Sequence, residues 1–412
     1  MRIVSGSEAS EMIQRIAARG QQVGPSENQA QRIVREVRKN GDSALRRFAE
    51  QWDGLSPQEP VKISKPELAF AQRRLTAPLR ASIRESAENI RRFCELQKPR
   101  SWTRSRAGIT LGQIVKPLES VGCYIPGGRY PLLSTVLMTV IPAQIAGVKQ
   151  VRVVSPNPSR EVLGVAAMLG VSEFYRIGGA QAIAALAYGT ESIPRVQKIV
   201  GPGNAYVTAA KRIVAFDCAI DFLAGPTEAV ILSERGQPQF IASDLIAQAE
   251  HDVDALAFFI TTSRVLAHAV AQILERLVQG NPTAKASLEK GAVFLASSKT
   301  QAREWANRVA PEHITVDEEY APFIQNAGSI FVGDYSAQAA GDYSSGPNHV
   351  LPTAGQARFR GGLSVLDFVK IISVQKLSRR GLRSIAPAIE CLATAEGLQG
   401  HADSIRVRRA DA

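Results

Sequence analysis

The segment Lys198-Ile-Val-Gly-Pro-Gly-Asn204-Ala-Tyr-Val-Thr-Ala-Ala-Lys-Arg-Ile-Val214 runs from a short apolar stretch through a glycine turn into a helical pattern. The same order occurs upstream, where residues 174–177 lead into Gly178-Gly179 and a helical stretch over 180–187. A repeated strand, turn and helix is typical of βαβ units, in which helices connect parallel strands. The pattern therefore predicts an α/β fold with a mostly parallel sheet.

A second run of strand and helix patterns follows Gly225. It predicts strands at 229–232, 256–261, 291–295 and 328–332, and helices at 240–251, 265–277 and 300–309. Helical patterning also covers residues 66–97, and it returns from about residue 365 to about residue 396. The expected fold is α/β, with two Rossmann-like domains, each an incomplete and mostly parallel sheet, and small N-terminal and C-terminal helical appendages.

Composition limits the class of protein. A chain of 412 residues is too long for one ordinary core, which predicts two or more domains. The four cysteines are widely spaced, so a disulfide framework is not expected and a reducing compartment is. The sequence has neither a signal-peptide pattern nor an apolar run of membrane-spanning length. We therefore expect a cytoplasmic protein without a membrane partner.

The net charge of +11 raises the question of a nucleic-acid partner. Arginines are dense between Arg73 and Arg106, and again from Arg406 to Arg409. Aromatic residues make up only 6% and do not alternate with these arginines, so we expect a solvated basic surface and no nucleic-acid partner. The charge can still attract anionic ligands.

Four of the five histidines, His251, His313, His349 and His401, stand in polar or glycine-rich segments. Because histidine is the commonest metal ligand and titrates near neutral pH, this placement predicts a metal or acid–base site. Gln248 and His251 are three residues apart on a predicted helix, which suits two ligands of one metal and equally an ordinary surface pair. Asp342 and His401 would complete a nitrogen and oxygen set of the kind that zinc accepts.

Glu312 and His313 form an adjacent acid–base pair after Pro311. Neighbouring residues of a strand point to opposite faces, so a joint role requires a bend at this position. Either side chain can then serve as a general base, whereas the alternative is an exposed loop pair. The polar stretch over residues 341–353 predicts a functional loop, with His349 as a contact inside a cleft.

Three glycine turns follow predicted strands: Pro126-Gly127-Gly128, Gly178-Gly179 and Gly201-Pro202-Gly203-Asn204. Such turns let a ligand approach backbone N–H groups at the start of a helix. None completes the dinucleotide fingerprint of three spaced glycines, and each alone is compatible with an ordinary tight turn. Their succession predicts a nucleotide cleft.

These motifs, in this order, resemble the histidinol dehydrogenase family over nearly the whole chain, most strongly over residues 121–401. The resemblance rests on Gly122-Cys-Tyr-Ile-Pro-Gly-Gly128, Gly178-Gly-Ala-Gln-Ala-Ile-Ala-Ala-Leu186, Gly201-Pro-Gly-Asn204, Ala224-Gly-Pro-Thr-Glu228, Ala247-Gln-Ala-Glu-His251, Ala310-Pro-Glu-His313, residues 341–353 and Glu396…His401. It implies an NAD-dependent homodimer with one zinc ion per subunit. That enzyme oxidises L-histidinol through L-histidinal to L-histidine, the last two steps of histidine biosynthesis.

The resemblance also implies roles for individual residues. The zinc ligands are Gln248, His251, Asp342 and His401, with His401 expected from the other subunit, so that the active sites are shared. The catalytic pair is Glu312 and His313, and the nucleotide contacts are Tyr124, Gln181 and Asn204. The substrate contacts are Thr227, Gln248, His251, His313, Asp342, His349, Glu396 and His401.

One position departs from the family pattern. Thr227 stands where many members have serine, which keeps the hydroxyl and adds a methyl group. A hydrogen bond to substrate can therefore persist, and we expect a small effect on affinity.

The implied domain limits follow the same resemblance. Residues 1–23 form an N-terminal arm, and residues 24–117 with 235–363 form a discontinuous first α/β domain that carries the zinc and catalytic residues. Residues 118–234 form a second, NAD-binding domain. Residues 364–412 form a C-terminal helical segment that contributes to the partner's site.

The chemistry fits the residue types, and three other readings compete with it. His313 is expected to take the hydroxyl proton while hydride leaves to NAD, and Glu312 to activate the water that hydrates the aldehyde. A related NAD-dependent dehydrogenase of another small alcohol, such as a sulfonated diol, would not need Glu396 and His349 together. A zinc hydrolase would leave the glycine turns unexplained, and an inactive metal-binding protein would leave all these motifs without a role.

Overall fold

The structure is a computed structural model that describes residues 1–20, 26–127 and 131–410. The chain forms two compact units. The first contains Met1–Gln97 and Glu119–Phe368, and the second contains Lys98–Leu118 and Val369–Ala412. No helix in the described ranges is long and apolar enough to cross a membrane.

The strands of the described residues are β1 (Arg2–Ser5), β2 (Trp102–Arg106), β3 (Ile109–Pro117), β4 (Ser120–Tyr124), β5 (Gln150–Val154), β6 (Glu173–Tyr175), β7 (Lys198–Val200), β8 (Ala219–Ile220), β9 (Glu228–Leu232), β10 (Leu256–Thr261), β11 (Ala292–Leu295), β12 (His313–Val316), β13 (Ser329–Val332) and β14 (Val369–Leu377).

The α-helices are α1 (Gly6–Ala17), α2 (Ser26–Trp52), α3 (Lys65–Arg74), α4 (Ala77–Gln97), α5 (Leu133–Ala146), α6 (Arg160–Met168), α7 (Gly179–Tyr188), α8 (Ala205–Val214), α9 (Pro238–Ala249), α10 (Arg264–Leu277), α11 (Pro282–Lys290), α12 (Lys299–Val309), α13 (Gln338–Tyr343), α14 (Arg379–Ala395) and α15 (Gln399–Ala410). Short 3₁₀ turns cover Ala321–Phe323, Gln356–Arg358 and Val365–Phe368.

One sheet of the first unit has the order β6-β5-β4-β7-β8, and all its strands are parallel. Numbered in chain order within this sheet, the strands are arranged 3-2-1-4-5, the Rossmann-like order. Successive strands are added first on one side of β4 and then on the other, so the switch point lies between β4 and β7. The central strand β4 is buried at every position because helices cover both faces of the sheet. Ligands of such sheets bind at the carboxyl ends of the strands beside this switch point.

The other sheet of the first unit has the order β1-β11-β10-β9-β12-β13 and is also parallel. Apart from β1 at its edge, it repeats the 3-2-1-4-5 order, with the switch point between β9 and β12. Its core is aromatic and tightly packed around Phe258, Phe294 and Trp305. The predicted α/β class with mostly parallel sheets is confirmed.

The second unit contains an antiparallel sheet of order β14-β3-β2, followed by α14 and α15, which pack against each other. The prediction of helix from about residue 365 was wrong for Val369–Leu377, which is a strand. This segment is rich in β-branched residues and pairs with β3 along its whole length, from Val369 opposite Pro117 to Leu377 opposite Ile109. Long-range pairing therefore outweighs a weak local helical pattern.

Two helices contain a residue that disfavours helical geometry. Gly41 has φ 53° and interrupts the helical geometry inside α2. Pro142 lies inside α5 without dividing it. The helix is almost wholly buried, and its packing offsets the one hydrogen bond that proline removes.

The domain limits stay a prediction, and the packing of strands and helices bears on them at three points. Strand β1 of the expected N-terminal arm pairs with β11. Strand β9, inside the expected NAD-binding domain, pairs with β10 and β12 of the other sheet. Helix α2, assigned to the first domain, packs against α7 and α8 of the five-stranded sheet. The limit between residues 23 and 24 lies outside the described residues.

Candidate functional site

The predicted catalytic pair lies at the amino edge of the six-stranded sheet. Thr227 immediately precedes β9, Glu312 immediately precedes β12, and His313 pairs in register with Ala229. Parallel pairing of β9 and β12 thus brings together two segments that are far apart in sequence. Helix α9 returns the chain to the same edge before β10, which places Gln248 beside Thr227.

The Glu312 carboxylate is buried and fixed by donors from the neighbouring strand. Its Oε2 accepts a hydrogen bond from the Thr227 hydroxyl and a second from the backbone N–H of Glu228 at 3.0 Å. The Thr227 oxygen in turn accepts a hydrogen bond from Nε2 of Gln248 at 2.6 Å. A continuous chain of donors therefore runs from α9 to Glu312.

The His313 ring lies between two carboxylates. Its Nδ1 is 3.8 Å from Oε2 of Glu312, and its Nε2 is 3.6 Å from Oδ1 of Asp342. Nδ1 is buried and has no hydrogen-bond partner among the described residues. An unpartnered ring nitrogen in a buried polar site is costly unless a ligand satisfies it. A substrate hydroxyl has the chemistry to supply the missing hydrogen-bond partner.

Burial and neighbouring charge shift both members of the pair. Burial raises the pKa of Glu312, and the nearby His313 and the two donors from Thr227 and Glu228 only partly oppose this. Burial alone would lower the pKa of His313, but Glu312 and Asp342 together raise it above its ordinary value. Groups with perturbed pKa values in one buried cluster are typical of acid–base catalysis.

His251 lies just beyond the end of α9, and its ring contacts a backbone carbonyl of that helix. Helix α9 ends at Ala249, so His251 lies beyond the helix and not on its face with Gln248, which corrects the expected helical pairing. Its Nδ1 is 2.9 Å from the carbonyl oxygen of Ala247. Since a ring N–H donated to a carbonyl leaves the other nitrogen with its lone pair, Nε2 is suited to bind a metal.

The stretch over residues 341–353 begins inside α13 and continues as an irregular connection, so the expected loop is partly helical. His349 lies in this connection and is half-buried. Its Nδ1 is 2.8 Å from the Asp342 carbonyl oxygen, and its Nε2 is 3.5 Å from the Thr135 hydroxyl. Burial lowers the pKa of His349, which favours its neutral form.

The predicted zinc ligands are divided between the two units. Gln248, His251 and Asp342 belong to the first unit, and His251, His313 and His349 all interact electrostatically with the Asp342 carboxylate. His401 lies on α15 of the second unit and is exposed. Among the residues that the structure describes, no group of three His, Cys, Asp or Glu side chains is arranged to hold a metal ion. The amide, imidazole and carboxylate donors of the first unit nevertheless have the chemistry of a zinc site.

Glu396 is also a residue of the second unit. It follows α14 directly and is exposed. Its predicted contact with substrate stays a prediction, as does the role of His401.

The predicted nucleotide contacts lie at the carboxyl edge of the five-stranded sheet. Tyr124 ends β4, Gln181 is in the first turn of α7, and Asn204 caps α8 by accepting hydrogen bonds from two backbone N–H groups at 3.1 Å. A Cβ atom on Gly201 would collide with the carbonyl oxygen of Tyr124, so only glycine fits where β4 and β7 end. Gly128 of the first predicted turn lies outside the described residues.

Two carboxylates, from the partly buried Asp53 and the buried Asp221, hold these glycine turns. Oδ2 of Asp53 accepts hydrogen bonds from the Gly178 N–H at 2.9 Å and from Nε2 of Gln181 at 3.0 Å. Asp221 accepts the Gly201 N–H at 2.7 Å and forms a buried ion pair with Lys211. Lys211 also donates to the Gly201 carbonyl oxygen at 3.0 Å. Backbone groups of both turns are thus fixed before any ligand binds.

Several of these residues were missed from the sequence. Asp53, Lys211 and Asp221 have no local motif, and nothing in their spacing relates them to the glycine turns. Glu228 stands beside Thr227 in a quoted motif, which was the one available signal. Arg19, which forms an ion pair with Glu228, lies too far away in sequence to be connected with it.

A Rossmann-like strand order with fixed glycine turns, together with a buried carboxylate–imidazole pair, defines an α/β enzyme of the dehydrogenase class. The family model described as Histidinol dehydrogenase matches residues 17–409. The chain belongs to the histidinol dehydrogenase family, as its motifs predicted.

Individual relatives agree over the full length. Histidinol dehydrogenase of Methanothermobacter thermautotrophicus is 45% identical over 395 residues, with 92% of each chain covered. Histidinol dehydrogenase of Thermus thermophilus is 44% identical over 411 residues, which is 97% of this chain and 99% of that protein. The crystal structure of histidinol dehydrogenase from Elizabethkingia anophelis matches with a TM-score of 0.95 and 34% identity, covering 100% of this chain and 98% of that one.

Proposed function

We propose that this protein oxidises L-histidinol to L-histidine through L-histidinal, with two molecules of NAD reduced for each histidine formed. The observation that carries the proposal is the buried pair of Glu312 and His313, with its unpartnered Nδ1, in a chain of the histidinol dehydrogenase family. The reaction is a four-electron oxidation and completes the biosynthesis of histidine.

His313 is assigned the first proton transfer. Its buried Nδ1 accepts the hydroxyl proton of histidinol while hydride is transferred to NAD from the carbon that bears this hydroxyl. Asp342, 3.6 Å from Nε2, stabilises the imidazolium that forms. The raised pKa of His313 is consistent with a group that accepts and holds this proton.

Glu312 is assigned the second half of the reaction. The aldehyde must be hydrated before a second hydride can leave, and a general base makes the attacking water more nucleophilic. Burial raises the pKa of Glu312 toward the range in which a carboxylate is an effective base near neutral pH. Its two donors, Thr227 and the Glu228 N–H, fix Oε2 in place.

We assign zinc to Gln248, His251, Asp342 and His401 of the partner subunit, one ion per subunit of a homodimer with shared sites. Three observations support this set in the first unit. The His251 ring has its Nδ1 engaged by a carbonyl, and the amide nitrogen of Gln248 is engaged by Thr227. The Asp342 carboxylate is 3.6 Å from Nε2 of His313 and also interacts electrostatically with His251 and His349. Zinc supplies positions at which the nitrogen donors of histidinol are oriented.

NAD is assigned to the switch point of the five-stranded sheet, with contacts from Tyr124, Gln181 and Asn204. This is the edge at which sheets of this order bind dinucleotides. Thr227, His349 and Glu396 are assigned to the substrate, together with the zinc ligands and His313.

The test is to measure NADH formed per histidinol consumed by purified protein, before and after treatment with a chelator. Two NADH per histidine, lost on chelation and restored by zinc, are expected. No NADH from histidinol would overturn the proposed substrate, and reduction of NAD with sulfonated diols instead would assign the chain to a different alcohol. Hydrolytic activity independent of NAD would overturn the redox assignment altogether.

A further inference from the structure

We propose that Arg19 is a positioning residue for the reaction, which holds Glu312 through Glu228 and through the backbone at Val309. The proposal rests on the function assigned to Glu312 above. It gives a role to the glutamate of the Ala224-Gly-Pro-Thr-Glu228 motif, which that function leaves unexplained.

The Arg19 guanidinium grips Glu228 with two hydrogen bonds. Nε donates to Oε1 at 2.6 Å, and Nη2 donates to Oε2 at 2.5 Å. The side chain of Glu228 is 2% exposed and that of Arg19 is 16% exposed, so the pair is shielded from solvent. Bidentate geometry of this kind fixes orientation as well as charge, and lysine cannot reproduce it.

Glu228 connects this ion pair to the reacting carboxylate. Its backbone N–H donates to Oε2 of Glu312 at 3.0 Å. Its Oε1 also accepts a hydrogen bond from the Ala354 N–H at 3.1 Å, immediately after the connection that carries His349. A single buried carboxylate therefore joins the start of β9, the His349 connection and the N-terminal segment.

Arg19 reaches Glu312 by a second route along the backbone. Its Nη2 donates to the carbonyl oxygen of Val309 at 3.0 Å. Val309 ends α12, and the next residue, Ala310, has φ 49° before the chain enters Pro311 and Glu312. A left-handed alanine is strained and needs support from its surroundings. The hydrogen bond from Arg19 therefore stabilises the turn that positions Glu312 in the site.

The charge of Arg19 also balances Glu228. Glu312 is faced by His313 on its own turn and by Thr227 and Glu228 from β9, and beyond these lie Gln248 on α9 and Asp342 on α13. Without Arg19, Glu228 would be an uncompensated buried charge beside a second carboxylate. Two nearby carboxylates repel each other, so Glu312 would be displaced from its present position.

The test uses Arg19→Gln in the full-length zinc-loaded protein, with oxidation of histidinol and of histidinal measured separately. Oxidation of histidinal is expected to fall about 100-fold, because small misplacement of a catalytic group has this effect, while oxidation of histidinol falls much less. The double variant Arg19→Gln/Glu228→Gln is expected to recover part of the loss, since it removes the uncompensated charge. Arg19→Lys keeps the charge without the bidentate geometry, so its rate of histidinal oxidation is expected to lie between those of the natural protein and Arg19→Gln.

The matched control is Arg2→Gln, which breaks the exposed ion pair with Glu8 in the same N-terminal segment and should change neither step. Equal loss of both steps in Arg19→Gln, or a double variant worse than the single one, would overturn the positioning role. A crystal structure of Arg19→Gln gives a readout that does not depend on the substrate. If Glu312 keeps its contacts with Thr227 and the Glu228 N–H there, the proposal fails even when histidinol is the substrate. If Glu312 is displaced, the proposal stands even when the substrate is an alcohol other than histidinol.

Discussion

The two parallel sheets of the first unit have the same strand order about their switch points, yet their functional groups lie at opposite edges. In the five-stranded sheet, glycine turns occupy the carboxyl ends of β6 and β7, and Gly127 follows the carboxyl end of β4. In the six-stranded sheet, Glu312 and His313 occupy the amino edge beside β9. The strand order is therefore the same in both sheets, and the residues at each edge decide where the functional groups lie.

The carboxyl edge of the six-stranded sheet shows why it differs. Asp317 accepts hydrogen bonds from the Ser233 hydroxyl at 2.7 Å and from the Glu234 N–H at 2.8 Å. Glu234 accepts the Tyr320 hydroxyl at 2.7 Å and further bonds from Thr262. Two carboxylates with internal partners lie at this edge, and their negative charge opposes the binding of a phosphate. The carboxyl edge of the five-stranded sheet instead offers backbone N–H groups and small residues.

The largest effect on the amino edge is expected from Glu312→Gln. Oxidation of histidinal should fall about 10²–10⁴-fold, the range typical of a lost general base, while histidinol is still oxidised to the aldehyde. Single-turnover measurement of NADH from each substrate checks this. The matched control is Glu234→Gln at the opposite edge of the same sheet, which should leave the ratio of the two steps unchanged. Equal loss of both steps in Glu312→Gln would contradict the division of roles.

The largest effect on the five-stranded sheet is expected from Lys211→Met. It leaves Asp221, which has no exposed side-chain surface, charged and unpaired beneath the Gly201 turn. Breaking a buried ion pair in this way typically costs about 3–5 kcal/mol of the free energy of unfolding. Denaturant unfolding checks the value. Arg92→Met, which breaks an exposed pair with Glu88, is the control and should change stability by less than about 1 kcal/mol.

Asp53→Asn is expected to weaken NAD binding without changing the chemistry. The variant loses the charge that holds the Gly178 N–H and the Gln181 amide. One such contact is worth roughly 1 kcal/mol, so KM for NAD should rise about fivefold with kcat unchanged. Steady-state kinetics at varied NAD give both constants. An unchanged KM would show that the Gly178 turn is not part of the nucleotide site.

The same variant also tests a pH dependence of stability. Burial raises the pKa of Asp53, which means that the folded protein holds this proton at pH values where the unfolded chain has lost it. The stabilising contribution is present below the unfolded pKa of about 4 and is lost as pH rises through the folded pKa. Melting temperatures measured from pH 4 to pH 7 should therefore fall for the natural protein relative to Asp53→Asn. A constant difference across this range would contradict the shift.

The smallest effect is expected from Thr227→Ser. The hydroxyl that links Gln248 to Glu312 is kept, and only a methyl group is lost. A buried methyl group is worth about 0.8 kcal/mol, so KM for histidinol should change by no more than about fourfold. Thr227→Val keeps the shape without the hydroxyl and is the informative comparison, because it should impair oxidation of histidinal far more.

The sequence alone predicted the α/β class, the repeated strand–turn–helix units and the family. These depend on local order: Gly178-Gly179 and Gly201 follow their strands directly, and apolar periodicity along a short segment reports its own secondary structure. The same reasoning failed at Val369–Leu377, because pairing with a distant strand determined that segment. It also failed at His251, because the end of a helix depends on contacts beyond it.

Which residues meet was decided only by the tertiary structure. Residues 19, 228 and 309 lie next to one another because β9 and β12 are adjacent strands and the N-terminal segment passes their amino edge. Asp53 and Gly178 meet because α2 packs against α7. A residue's type states what chemistry it can perform, but burial and charge neighbours set its pKa and its partners. Those neighbours come from chain folding over long separations, which local sequence patterns do not encode.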